Sequence, residues 1–268
     1  MSTSVPDLRG EWERGVALGS RGRYADAWAA LTGVVTHVES GSPDEWIRSL
    51  AMSTAGSLHR QLGRHAAARD LDRSALALFH TSPAHPDWVE ATLDAVLGLA
   101  ADAIGHANAD EAATWLDRAD QILAYAAEPQ PWRASIRLHW VRAELALLQD
   151  RPEHAEGAAA TAVTLAERAA SARHLAKSRL IHGVASAATD PTAAAAVLRS
   201  SLALSVPAGW RPLQWPAYLV LADLEADPRY LSAAGLVIRS IAADTPAPIA
   251  AEWLQRAEVR RCLAAPDV

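Results

Sequence analysis

No stretch of the 268-residue chain alternates apolar and polar residues with the period of two that marks a half-buried strand. Blocks rich in alanine and arginine, both helix formers, run instead between short breaks. Prolines punctuate the breaks at Pro83/Pro86, Pro129/Pro131 and Pro207/Pro212. Ser42-Pro43-Asp44-Glu45 predicts a helix start, with an N-cap serine, a proline in the first helical position and a capping-box glutamate. Asp227-Pro228 and Thr245-Pro246 repeat the cap-then-proline arrangement. After Pro248 an amphipathic segment, Ile249 to Leu263, predicts a last helix. Its Glu252, Arg256, Arg260 and Arg261 are expected to face water over the end of the fold.

Within these blocks small residues recur. Gly15/Gly22, Gly56/Gly63 and Gly98/Gly105 form pairs seven apart, at intervals of 41 and 42. A fixed period of this length is the mark of a helical solenoid. Each pair fits one helix-turn-helix: a small residue lets two helices approach, and a turn glycine tolerates positive φ. The first unit reads Trp12-Glu13-Arg14-Gly15-Val16-Ala17-Leu18, then Gly22-Arg23-Tyr24-Ala25-Asp26-Ala27-Trp28. The second keeps Gly56, Gly63, His65, Ala68 and Ala75; the third keeps Gly98, Gly105, Ala112, Leu116 and Ala119, with two extra residues in its turn.

This pattern resembles the tetratricopeptide repeat (TPR) family, whose units carry a small residue in helix A, a Gly-x-Tyr turn and alanines in helix B. Gly22-Arg23-Tyr24 with Ala27 is the best match, with Val34 in place of the second alanine. Later units keep weaker traces: Ala143, Asp150, Pro152, Ala155 and Ala162; then Gly183, Asp190-Pro191 and Ala194; then Asp227-Pro228, Tyr230 and Ala233. The spacing exceeds the 34 residues of a standard repeat. Leu165-Ala166-Glu167-Arg168 through Leu175-Ala176-Lys177-Ser178 resembles the lengthened TPRs of large bacterial transcription activators. The resemblance implies an all-α chain: a TPR-like right-handed α/α superhelix of about six helical hairpins plus a C-terminal capping helix. One domain spans 1–268, with units near 8–40, 43–80, 86–127, 131–170, 172–205 and 210–243 and a cap at 247–264.

Composition narrows the work such a fold does. Half the residues are apolar and 21% are charged, enough for a packed core and too apolar for disorder. A net charge of -6 disfavours direct nucleic-acid binding, which needs a basic face. Lys177 is the only lysine among 25 basic residues, a bias that fits a GC-rich bacterial genome. Cys262 is the only cysteine, so no intrachain disulfide forms. No uncharged apolar run reaches bilayer-spanning length, and Met1 to Arg14 lacks the apolar core of a signal peptide; the expectation is a cytoplasmic protein off the membrane.

The chemistry-bearing motifs are weak. Ala176-Lys177-Ser178 lacks the glycines of a P-loop, and G-x-S-x-G, H-E-x-x-H and dinucleotide fingerprints are missing. His80, His85 and Asp87 are neighbours around a turn, but turn histidines explain them as well as a metal does, and His59/His65 fall on different helical faces. Cys262 reads as a buried structural residue. The expectation is no catalytic residue, no metal and no cofactor.

In TPR arrays helix A of each unit lines the concave groove. Carried over, this places Trp12 and Val16, Ser53, Ser57 and Arg60, Ala95, Leu99 and Asp102, Arg137, Trp140 and Glu144, Lys177 and Leu180, and Trp215 and Tyr218 in the groove. Trp12, Arg60, Arg137, Trp140, Glu144, Lys177, Trp215 and Tyr218 are the partner-binding candidates. Arg137 and Lys177 hold equivalent positions in successive units and suit one anionic group, such as a peptide carboxylate. Trp140, Trp215 and Tyr218 supply rigid contact area of the kind that dominates hot spots, although tryptophan also fills space in alanine-rich cores. Residues of the chaperone-tail clamp are replaced, by Ala95, Leu99, Trp140 and Glu144. The expected function is a non-enzymatic module that binds a protein or peptide in its groove, as a monomer or homodimer. A regulatory or sensor protein acting on a transcription or signalling partner, and a self-assembling structural repeat, are the alternatives.

Overall fold

The computed structural model describes residues 7–38, 41–42, 44–80, 87–126 and 131–265. Fourteen α-helices and no strand occur among them. Six antiparallel hairpins follow one another: α1 (Leu8–Ser20) with α2 (Tyr24–His37), α3 (Glu45–Gln61) with α4 (His65–Ala77), and α5 (Trp88–Gly105) with α6 (Ala109–Tyr125). Then come α7 (Trp132–Leu148) with α8 (Pro152–Arg168), α9 (Ala172–Ser186) with α10 (Pro191–Ser205), and α11 (Arg211–Glu225) with α12 (Pro228–Ala243). Two short helices, α13 (Ala247–Trp253) and α14 (Ala257–Leu263), complete the chain.

Alanine at the crossings explains the tight pairing. Ala27, Ala68, Ala112, Ala155 and Ala194, each near the start of a second helix, have no solvent exposure, so backbones meet where larger side chains would separate them. A recurrent turn joins the hairpins: Arg23, Arg64, Asn108 and Arg151 donate their N–H to carbonyls five residues back, at Leu18, His59, Ala103 and Ala146. This bond needs a left-handed residue just before the donor. Gly22 (φ 73°) and Gly63 (φ 72°) supply it in the first two units, and Ala107 (φ 56°) and Asp150 (φ 56°) in the next two. Gly105 is therefore not the turn residue of the third unit. It ends α5, where a Cβ would run into the His65 ring.

Helix α3 starts at Glu45, and Asp44 before it makes no side-chain cap bond; Ser42 accepts from Asp44 N–H at 3.3 Å, and Pro43 lies outside the described residues. Asp190 and Asp227 do cap, accepting from Ala193 N–H and Arg229 N–H.

The array closes on itself. Core residues of the first units, among them Trp12, Tyr24, Leu31, Trp46 and Leu58, belong to one hydrophobic cluster with Ile238, Ile241, Trp253, Val259 and Cys262 from the last. Polar contacts seal the seam: Ala25 N–H donates to Asp244 O at 2.9 Å, Arg211 Nε to Arg21 O at 2.5 Å, and Arg64 Nε to Glu252 at 3.1 Å. The expected single capping helix is thus two helices broken at 254–256; Glu252 and Arg256 face water as expected, and they also reach across to the second unit. Closure supplies the reason: an exposed end has been replaced by an interface. Cys262 is buried, and burial pushes its thiol pKa up.

Candidate functional site

The inward helices α3 and α5 bring a buried ion network together. Arg60 bonds Asp72 of α4, Asp102 at 3.1 Å and the Gly98 carbonyl at 3.4 Å. Both carboxylates have no solvent exposure. Burial pushes Asp72 up to about 6, against the pull of Arg60. Arg60 therefore stitches three successive helices and is committed to the fold.

Arg137 of α7 is likewise engaged. It bonds Asp94 of α5, which also accepts from Arg133 at 2.9 Å; Arg133 reaches Glu90 at 2.8 Å as well. Across the ring, the Arg133 guanidinium sits over the indole of Trp12, whose Nε1 donates to Thr54 at 3.0 Å. Sequence spacing singled out Arg137 without the acidic partner one unit back that neutralises it.

Trp140, Glu144 and Lys177 form the remaining inward patch. Trp140 Nε1 donates to the buried Ser178 hydroxyl at 2.8 Å, and its ring stacks on His174. Lys177 Nζ lies 4.3 Å from the centre of the same indole. Burial pulls the ammonium down to about 8; Glu144 opposes this, and Arg137, Arg173 and Arg60 reinforce it. Burial pushes the Glu144 carboxyl up, against Lys177. Burial, with Arg173 beside it, holds His174 down at about 3, so its imidazole is neutral at physiological pH; its Nδ1 shares a hydrogen bond with the Ser171 hydroxyl at 2.7 Å.

Trp215 and Tyr218 sit elsewhere. Trp215 packs edge-on to Trp253 of α13, and Tyr218 stacks on Tyr230 of α12, so both serve the core of the last unit. Arg173, one turn before Lys177 on α9, joins the inward charges although the repeat register does not pick it out; its i, i+4 relation to Lys177 is the signal in the sequence.

Two cavities stand out. One, of 270 Å³, lies at the seam between Trp12 and Val16 of α1 and Arg173 and Trp210 opposite. The other, of 610 Å³, is apolar and lies between the end of α4, α5 and α6, with Val96, Trp115, Ile122 and the exposed Tyr125 in its wall. Among the described residues no group of three or more His, Cys, Asp or Glu could hold a metal, and no helix is long and apolar enough to cross a membrane. His85 and the side chain of His80 lie outside the described residues.

No protein-family model matches the chain, and no curated protein matches its sequence. Solved structures do share its architecture. A Rap protein complexed with Competence and Sporulation Factor superposes with a TM-score of 0.63 at 12% identity, over 98% of this chain and 76% of that one. RapI in its apo form gives 0.58 at 11% identity, over 96% and 99%. A signal-transduction ATPase (STAND) protein with a tetratricopeptide-repeat sensor, from Pyrococcus horikoshii, gives 0.57 at 12%, over 90% of this chain and 34% of that protein. The fold is TPR-like. At these identities the likeness carries the architecture and nothing of the chemistry.

Proposed function

We propose that the chain is a non-enzymatic protein-interaction module that takes a protein or peptide segment at the inward patch of Trp140, Glu144 and Lys177. One observation carries this reading. Arg60 and Arg137 are consumed by buried carboxylates, whereas Lys177 and Glu144 share the patch beside an indole with no ion pair between them. A lysine and a glutamate held part-buried beside a rigid aromatic face offer a partner an anchor with both signs of charge. The likeness to a Rap protein solved with Competence and Sporulation Factor supports a segment-binding role for the same architecture. The TPR sensor of the STAND protein supports the second reading, in which binding regulates a signalling partner. Closure of the array occupies both of its ends and weighs against end-to-end self-assembly. The reading places the protein in a bacterial cytoplasm, without membrane or direct nucleic-acid contact.

The test is selection from a peptide-display library on the immobilised protein, followed by fluorescence polarisation of enriched peptides. Peptides that bind wild type and lose about tenfold or more in affinity with Lys177→Met or Glu144→Gln, at unchanged helicity, support the patch. Enriched peptides held equally by both variants, or no enrichment, would remove this reading.

A further inference from the structure

The cavity at the seam has a half-buried charged group, Arg173, in a wall that is mostly apolar but also holds Glu13, Ser20 and Arg21. Trp12, Val16 and Ala17 come from α1, and Trp210 closes the far side next to Arg173. The Nε of Arg173 has no solvent contact and no hydrogen-bond acceptor. None of the described carboxylates forms an ion pair with it. Asp94 and Glu90 are taken by Arg133 and Arg137, and Glu13 at the cavity's edge is largely exposed and turned to Arg9 at 3.7 Å. The charges that do act on Arg173 make matters worse. Burial pulls it down to about 10, and Arg133 and Arg137 add to this, with only Tyr24 opposing them. It stays protonated at neutral pH. A half-buried cation among cations, with a dry and unpartnered Nε, is costly to the fold, and an anion entering the cavity relieves it.

The walls select the body that carries the anion. Two indoles, a valine and an alanine favour a flat apolar group over water. At 270 Å³ the space equals about nine water molecules at ~30 Å³ each, which suits a single-ring or indole-sized molecule and not a folded-in peptide segment.

We propose that this cavity binds a small aromatic carboxylic acid, its carboxylate on the Arg173 guanidinium and its ring against Trp12, Val16 and Trp210. One wall is α1 of the first hairpin and the other comes from α9 and the residue before α11, in the fifth and sixth units, so the bound acid bridges them and tightens closure of the array. The inference goes beyond the protein-binding reading and holds whether or not a peptide binds at Lys177.

The experiment uses the full chain with phenylacetate, 3-phenylpropionate and indole-3-acetate, the primary amide of each, and inorganic phosphate. Calorimetry gives affinity and thermal unfolding gives the stabilisation that closure implies. The expected result is at least one acid that raises Tm and binds about tenfold tighter than its amide. Arg173→Gln should bring acid and amide level, and Val16→Trp, which fills the cavity, should abolish both. No binding by any acid at millimolar concentration, or equal binding of acid and amide to wild type, would overturn the proposal. So would an acid preference that survives Arg173→Gln, or phosphate binding as tightly as the best acid. The acid-to-amide ratio on wild type decides the matter even if a variant fails to fold.

Discussion

The Arg133 guanidinium lies over the indole of Trp12, 5.1 Å from its centre, although one residue belongs to the first hairpin and the other to the fourth. Such a contact exists only because the superhelix turns tightly enough to bring α7 back to α1. Trp12 is 6% exposed and sits in the core cluster that also holds the last helices. Trp12→Ala should therefore cost about 3–5 kcal/mol of unfolding free energy, as large-to-small core changes do. Arg133→Met should cost much less, since cation–π contacts contribute about 0.5–2 kcal/mol. Urea titration followed by circular dichroism separates the two; equal losses would contradict this account of the contact.

Arg60 gives the clearest case of a charge used for structure. Removing it strands Asp72 and Asp102 in a dry interior, so Arg60→Met should destabilise by about 3–5 kcal/mol.

Asp72 makes the same network pH-dependent. Its folded-state pKa near 6 exceeds its unfolded value of 3.8, so between those values the folded protein binds the extra proton. Stability from this group is highest below pH 4 and falls as pH rises through the window, by at most about 1.4 kcal/mol per unit. The difference in unfolding free energy between wild type and Asp72→Asn, measured at pH 4, 5 and 6, should shift by this amount; a flat difference would show that Arg60 neutralises the carboxylate throughout.

Lys177 is the only lysine, which makes its titration directly observable. Reductive methylation with ¹³C-formaldehyde marks this side chain and the terminal amine, and the lysine resonance should titrate near pH 8. Because the folded pKa lies below the unfolded 10.5, the unfolded chain holds more protons between those values, and stability from this group rises with pH across them. Glu144→Gln should lower the midpoint further, since Glu144 is the group that holds it up. A midpoint above 10 would place Lys177 in open water.

Two helical glycines should respond oppositely to alanine. At Gly98 a new Cβ would drive into the Asp72 carboxylate, so Gly98→Ala should destabilise. At Gly157, on the exposed face of α8, nothing lies within 4 Å, and Gly157→Ala should stabilise by about 0.5–1 kcal/mol. Thermal unfolding of the two variants gives the sign directly.

Helical hairpins were legible from the sequence because alanine at the crossings and proline at the starts act locally, as at Ala27 and Asp190-Pro191. The third turn misled: Gly105 was needed for room beside His65, while Ala107 took the left-handed conformation that a glycine usually marks. Closure was invisible for a different reason. It depends on small rotations summed over six hairpins, and its contacts, such as Arg64 with Glu252, join residues 188 apart. The inward cations suffered likewise. Nothing local to Arg137 reveals that Asp94, 43 residues earlier, consumes its charge, or that Arg173 finds no such partner.

Open helical arrays come apart from their ends, because a terminal repeat has a neighbour on one side only. Here the first and last hairpins are neighbours of each other, so fraying must begin by breaking a buried seam rather than by peeling off a loose unit. A terminal hairpin that frays therefore loses seam contacts as well as those to its one neighbour along the chain.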